Sequence, residues 1–230
     1  MANVELMGAS GRTVAFVGEG TEVEVNRLVD DDLLPSRFSW KATERREFDL
    51  LGAAAALRLN RKFKDMLTRQ ARKDILAKLE AEHLNVINET LATYSVDAPC
   101  QVVVDLLEAR AWVIELKDLS LDLTHEMNEI GDRLRLLVAA EEAVAVDPEI
   151  MGGRPVFKGS RLPIETAIAS IDDGVTMSEM IEDYPFLSEE KIAQARVYLR
   201  VHPRAGRPRK AAIRGKHEAV RRVQVEKDPA

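Results

Sequence analysis

The chain has 230 residues, of which 46% are hydrophobic and 31% are charged, and its formal net charge is −6 at pH 7. This is the composition of a soluble, folded protein, long enough for one large domain or two to three small ones. It excludes an internal disulfide, because Cys100 is the only cysteine, and a membrane-spanning helix, because no apolar run approaches the required length. We therefore expect a cytoplasmic protein.

Charge is distributed unevenly along the chain. Residues 204–230 hold nine Lys or Arg against three Asp or Glu, a net charge of +6, which leaves −12 for residues 1–203 because the total is −6. Such asymmetry indicates a partner rich in negative charge, although a solubilising tail has the same composition.

Four elements are predicted in the first 59 residues. They are a strand at 12–17, a helix at 22–31 that Thr21 caps, a hairpin at 37–50 and a helix that starts at Gly52. The hairpin follows from apolar residues at a period of two on both sides of a polar turn. These elements make the first folded unit.

In the middle region, 60–145, the sequence predicts a helix, a hairpin and a second helix. Apolar residues recur every four positions from Phe63 to Leu79, which is one helical stripe. Residues 101–107 and 111–116 read as the two strands of a hairpin, and residues 124–143 as a helix with Thr124 as its cap. A dimer interface or a scaffold is the simplest use of this region.

The stretch DPEIMGGRPVFKGSRLP, residues 147–163, concentrates glycine and proline. Glycine reaches positive φ without steric cost and proline fixes φ, so the sequence dictates a backbone path of turns, which we predict to be a hairpin. Three short helices follow, at 163–173, 177–183 and 189–200, with capping residues at their starts. The hairpin and helices make a trihelical, helix-turn-helix-like module.

This module resembles the VapB-type antitoxin domain. The elements that carry the resemblance are Asp147-Pro148, Gly152-Gly153-Arg154-Pro155, Gly159-Ser160-Arg161, Leu162-Pro163, Gly174 and Tyr184-Pro185. The family more often has Thr where Ser160 stands, which keeps the hydroxyl. The resemblance implies an antitoxin that binds a PIN-like ribonuclease toxin and commonly represses its own operon.

Residues 25–59 are similar to the N-terminal region of long members of that family, and to the helix–wing–helix portion of MerR-type DNA-binding domains. The predicted hairpin would then be the wing, and four cations flank it. They are Arg37, Lys41, Arg45 and Arg46. We expect them to contact DNA phosphates, with a solvated hairpin as the alternative. The last helix of the module is less suited to contacting DNA bases, because it begins with Glu189 and Glu190, which DNA phosphates repel.

The tail motif RAGRPRK, residues 204–210, resembles the core of an AT-hook, in which arginines enter a narrow minor groove. Arg207, Arg209 and Lys210 would make that contact. The tail has a rival use, because Arg204, Arg207 and Arg209 could pair with the carboxylates of an acidic toxin site. A third possibility is that it does neither.

Arg154 and Arg161 are the expected toxin anchors of the module, and the alternative is that both pair internally with Asp147 or Glu165. We predict no catalysis, no metal site and no cofactor, because the four histidines lack metal-ligand spacing and no nucleophile–base pair can be read from the sequence.

The predicted fold is α+β and mostly helical, in four parts. They are a winged-helix-like (MerR-like) unit at 1–59, a helix–hairpin–helix region at 60–145, the antitoxin domain at 146–202 and a basic tail at 203–230. The predicted function is a homodimeric antitoxin that inhibits a PIN-like ribonuclease and binds operator DNA. The alternatives are a stand-alone DNA-binding transcription regulator and a scaffold with neither activity.

Overall fold

The computed structural model of the protein describes residues 6–42, 45–84 and 100–203. Within these residues nine helices accompany seven short strands, so the chain is α+β and mostly helical, as predicted. None of the helices in this part of the chain combines the length and apolarity that crossing a membrane requires. The basic tail from Arg204 onward lies outside the described residues.

The N-terminal unit places a three-stranded antiparallel sheet beside three helices, with strand order β1-β3-β2. Its elements are β1 Met7–Ala9, α1 Gly11–Val17, α2 Glu22–Asp30, β2 Ser39–Ala42, β3 Arg45–Asp49 and α3 Leu50–Phe63. The predicted hairpin is confirmed as β2–β3, where Trp40 lies opposite Glu47 and its indole N–H donates to the Glu47 carboxylate at 3.0 Å. The helix predicted after Thr21 is also confirmed, because Thr21 and Glu24 form a capping box.

The strand predicted at 12–17 is wrong, because these residues form α1. The Ser10 hydroxyl caps the helix by accepting the Thr13 N–H at 3.2 Å, and Val14, Phe16 and Val17 are all buried. β-branched residues favour strands when one face is exposed. Here burial on several sides overrides that preference, which is a weak one in any case.

The middle region differs most from its prediction. Its elements are α4 Arg69–Leu79, a π-helical turn Glu80–Leu84, α5 Cys100–Glu108, β4 Val113–Leu116, β5 Leu119–Asp122 and α6 Thr124–Ala143. Residues 101–107 are helical, and 113–116 pair instead with the following strand, so the predicted pairing of 101–107 with 111–116 is wrong. The helix predicted from Phe63 is interrupted before Thr68, whose hydroxyl caps α4.

Helix α6 is confirmed, with Ile130, Leu134 and Leu137 buried as predicted. Thr124 does not cap it: its hydroxyl accepts the Trp112 N–H at 2.9 Å, and thereby attaches the start of α6 to the segment before β4.

The three helices of the C-terminal module are confirmed, but the hairpin predicted within residues 147–163 begins earlier, because its first strand is Val144–Ala145. Its elements are β6 Val144–Ala145, β7 Val156–Phe157, α7 Ile164–Asp172, α8 Met177–Asp183 and α9 Glu189–Val201. The two strands pair antiparallel, Gly174 ends α7 with a φ of +104°, and Thr176 and Glu179 form the expected capping box of α8. Ser188 caps α9.

Helix α6 joins the module to the rest of the molecule. One buried cluster extends from the N-terminal unit to Leu137, and a second, around Phe157 and Tyr198, includes Ala140 of the same helix. The end of α9 crosses to the N-terminal unit, where Val201 enters the first cluster and the Arg200 guanidinium lies 5.4 Å from the centre of the Phe16 ring. The end of the module therefore lies beside α1.

Asp49 is buried, and its side chain caps α3. Substitutions at this position therefore distinguish the effect of the cap on stability from the effect of the buried charge. Its carboxylate accepts the N–H groups of Leu51 at 3.1 Å and Gly52 at 3.2 Å. Burial raises the pKa of Asp49 above its ordinary value, against the lowering effect of those two N–H groups. We expect Asp49→Ala to lower the free energy of unfolding at pH 7 by about 1 kcal/mol, the usual value of an N-cap.

Asp49→Asn keeps an acceptor for both N–H groups and removes the buried charge, so it should be at least as stable as the native protein at pH 7. A carboxyl group whose pKa is raised on folding destabilises the fold above its unfolded pKa, and this penalty disappears as both states become protonated at lower pH. The advantage of Asn should therefore diminish on acidification. Urea denaturation at several pH values measures both effects, and equal loss in Ala and Asn would contradict the argument.

Candidate functional site

The module carries a groove of about 450 Å³ between its hairpin and the loop after α8, here called the module groove. Phe186 lies edge-on to Phe157, with ring centres 6.0 Å apart, and to Tyr184 at 6.3 Å. Met151 and Tyr184 remain 45% and 37% exposed. The groove therefore has an aromatic wall and accessible apolar side chains.

Backbone turns of the hairpin place Met151 at this groove. Met151, Gly152 and Gly153 have φ values of +50°, +66° and +77°, three successive residues in the left-handed region. Glycine adopts this conformation freely, whereas a methionine there is strained. The Asp147 carboxylate accepts the Glu149 N–H at 2.8 Å at the start of the turn. The hairpin thus presents an apolar side chain from a position that ordinarily carries glycine.

The two arginines predicted as toxin anchors both line the module groove, but their surroundings differ. A terminal nitrogen of Arg154 lies 3.7 Å from the Glu165 carboxylate, so Arg154 is partly neutralised within the fold. Arg161 is exposed and makes no ion pair with the residues that the structure describes. Neither pairs with Asp147 within that part of the chain. Of the two, Arg161 carries the charge that no described carboxylate compensates.

The four predicted DNA-binding cations of the β2–β3 hairpin are likewise unequal. Arg37 forms an ion pair with Glu80, while Arg46 donates to Asp30 at 2.9 Å. Lys41 and Arg45 are exposed and without an ion pair in the described residues. The remaining predicted cations, Arg204, Arg207, Arg209 and Lys210, lie outside those residues.

A second groove, of about 570 Å³, lies beside this hairpin and is here called the wing groove. Four parts of the chain form it: the start of α1, one face of α2, the strand β3 and the end of α9. The ionisable residues that line it are Arg12, Glu22, Arg45, Arg46 and His202. Arg12 was missed by the sequence reading, because its placement depends on α1 being a helix beside the end of α9.

A third concavity, of about 300 Å³, contains charges that neutralise one another. Arg58, buried but for 11% of its side chain, donates to Glu19 at 3.3 Å and to Glu129 at 3.5 Å, and Arg133 donates to Glu19 at 2.7 Å. Partial burial acts to raise the pKa of Glu19, but Arg133 and Arg58 hold it below its ordinary value. This network joins the turn after α1 to α3 and α6.

None of the described residues forms a group of three or more His, Cys, Asp or Glu side chains that could hold a metal ion.

The fold and its two open grooves define an α+β, mostly helical protein whose C-terminal hairpin module is attached through α6. Residues 144–199, which form this module, match the family described as "Protein of unknown function (DUF433)". The uncharacterized protein y4eO of Sinorhizobium fredii (strain NBRC 101917 / NGR234) is 30% identical over 208 residues, which cover 90% of this chain and 86% of that protein. The chain belongs to the same family as y4eO.

A solved structure, the X-ray crystal structure of Rv2018 from Mycobacterium tuberculosis, is 14% identical and covers 84% of this chain and 98% of that one. Its TM-score of 0.29 is too low to carry an argument about this protein.

Proposed function

We propose that this chain is the antitoxin of a type II toxin–antitoxin pair, which binds and inhibits a PIN-like ribonuclease in the cytoplasm and binds the operator of its own operon. In this proposal residues 1–59 act as a winged-helix-like, MerR-like DNA-binding unit and residues 60–145 form a homodimer. Residues 146–202 dock on the toxin, and the basic tail at 203–230 acts beside them.

The observation that carries the proposal is the composition of the module groove. Exposed Met151 and Tyr184 supply apolar contact area next to Arg161, a guanidinium without an internal ion pair in the described residues. Tyr, Met and Arg are the residues enriched where proteins bind proteins. A ribonuclease with a ring of carboxylates offers the complementary charge, and a bound module would obstruct its site. Arg204, Arg207 and Arg209 would add charge from the tail.

The test is co-expression of the tagged full chain with the reading frame beside its gene. We expect a stoichiometric complex and rescue of growth from the ribonuclease. Arg161→Glu should then weaken the complex by about 2 kcal/mol or more, as expected when an interface arginine is lost and its carboxylate partner is repelled. Titration calorimetry of the purified pair measures this loss.

Lys158→Glu is the matched control, because Lys158 is an exposed cation of the same hairpin that does not line the module groove. Its affinity should stay close to that of the native chain. Equal loss in both variants would show a general charge effect, and absence of any partner would reject the antitoxin function.

A stand-alone DNA-binding transcription regulator is the second candidate. The wing groove supports this second candidate, because three arginines that line it all belong to this chain and no toxin is needed to form the surface. Specific binding to upstream DNA, together with failure to retain a ribonuclease, would decide for the regulator.

A further inference from the structure

The wing groove brings together cations that are far apart in the sequence. Arg12 lies in the first turn of α1, Arg45 and Arg46 lie on β3, and Pro203 closes the groove at the end of the module. Two small units of the chain therefore contribute to one surface, and neither would form it alone.

Carboxylates hold two of the three guanidinium groups without using all of their donors. The Nε–H of Arg12 donates to Glu22 at 2.9 Å, which leaves the terminal nitrogens of Arg12 available. Arg46 donates to Asp30 at 2.9 Å and to the Asn26 side chain at 3.4 Å. These contacts reduce the number of conformations that the long side chains can adopt before an anion binds.

Arg45 supplies the least compensated charge of the groove, since it is exposed and makes no ion pair with any residue that the structure describes.

We infer that the wing groove binds the phosphate backbone of duplex DNA. The inference rests on the DNA-binding half of the proposed function and adds Arg12 and the end of α9 to it. A duplex presents the dense, regular negative charge that several separated arginines can neutralise together.

The lining of the groove disfavours two other polyanions. Single-stranded nucleic acid is held by stacking on exposed aromatic rings, whereas Phe48 of the lining is 1% exposed and the His202 ring already packs against Tyr198, with ring centres 4.6 Å apart. An acidic protein would be anchored by large accessible apolar side chains, such as Met151 and Tyr184 of the module groove, whereas Phe48 and Val201 of the wing groove are buried.

The test measures binding of the full chain to a labelled 24-base-pair duplex and to its single strand by fluorescence anisotropy from 50 to 200 mM NaCl. Each phosphate contact contributes about 0.9 to the slope of log affinity against log salt. The double change Arg12→Ala with Arg45→Ala should therefore reduce the slope by about two.

Lys117→Ala is the control, because Lys117 is an exposed cation in the turn between β4 and β5 and does not line the groove. It should leave the slope unchanged, and circular dichroism should show that every variant is folded. An unchanged slope in the Arg12 and Arg45 variant, or equal binding of the single strand, would overturn the inference. If the variant with Arg12→Ala and Arg45→Ala still binds the ribonuclease, toxin binding is supported independently of whether the wing groove binds DNA.

Discussion

Replacing Trp112 by alanine is expected to lower the free energy of unfolding by about 3–5 kcal/mol, the usual cost of removing a large aromatic side chain from a core. Trp112 is fully buried, and its indole N–H donates to the Leu107 carbonyl at 2.8 Å. That carbonyl is at the end of α5, where the helix itself supplies no partner. The side chain therefore fills the core and completes the helix end.

Trp112→Phe distinguishes these two contributions. Phenylalanine keeps most of the apolar volume but leaves the Leu107 carbonyl without its donor, which costs about 1–3 kcal/mol for a buried group. Urea denaturation of both variants, followed by circular dichroism, gives the two values. Trp112→Ala could also lower the free energy of unfolding by less than the value expected for Trp112→Phe. In that case Trp112 would not hold α5 against the segment before β4.

Local signals explain the elements that the sequence predicted correctly. Thr21 with Glu24, and Thr176 with Glu179, are capping boxes, in which residues three apart satisfy each other's hydrogen-bonding groups. Gly174 ends α7 with a positive φ for the same kind of local reason. Such signals need no information about the rest of the fold, so the three helices of the C-terminal module, which is rich in them, were predicted correctly.

Burial explains the errors. Residues 12–17 and 101–107 are both runs of apolar and β-branched side chains that predict strands, yet both are helices. A short apolar run buried on several sides shows no clean period, so helix and strand cannot be told apart from it. The decision depends on neighbours distant in the chain, such as Phe48 of β3 beside Gly11 and Val104 beside Gly131 of α6.

The same limit applies to the candidate sites. The sequence placed Arg45 and Arg46 on a hairpin correctly, but the position of Arg12 beside them requires α9 to end against α1. It also left the partner of Arg154 open, and the fold supplies Glu165. Which cations stay available to a partner is set by tertiary contacts and cannot be read from charge patterns.

Gly52→Ala is the second substitution with a large expected effect, because it would displace the base of the β2–β3 hairpin. A Cβ atom at Gly52 would lie 2.6 Å from two ring carbons of Phe38, far inside contact distance. Phe38 is 1% exposed in the turn that precedes β2, so its ring has no open space to enter. Overpacking of this kind costs about 1–3 kcal/mol, and we expect at least the upper end of that range.

Gly131→Ala is the matched control within a helix. A Cβ there would meet its nearest neighbour, Val104, at an ordinary 3.7 Å, so alanine should stabilise α6 by about 0.5–1 kcal/mol through its higher helix propensity. Thermal denaturation of both variants should give shifts of opposite sign, and shifts of the same sign would contradict the packing argument. Adding Phe38→Leu to Gly52→Ala should recover part of the loss, because the smaller side chain leaves room for the new methyl group.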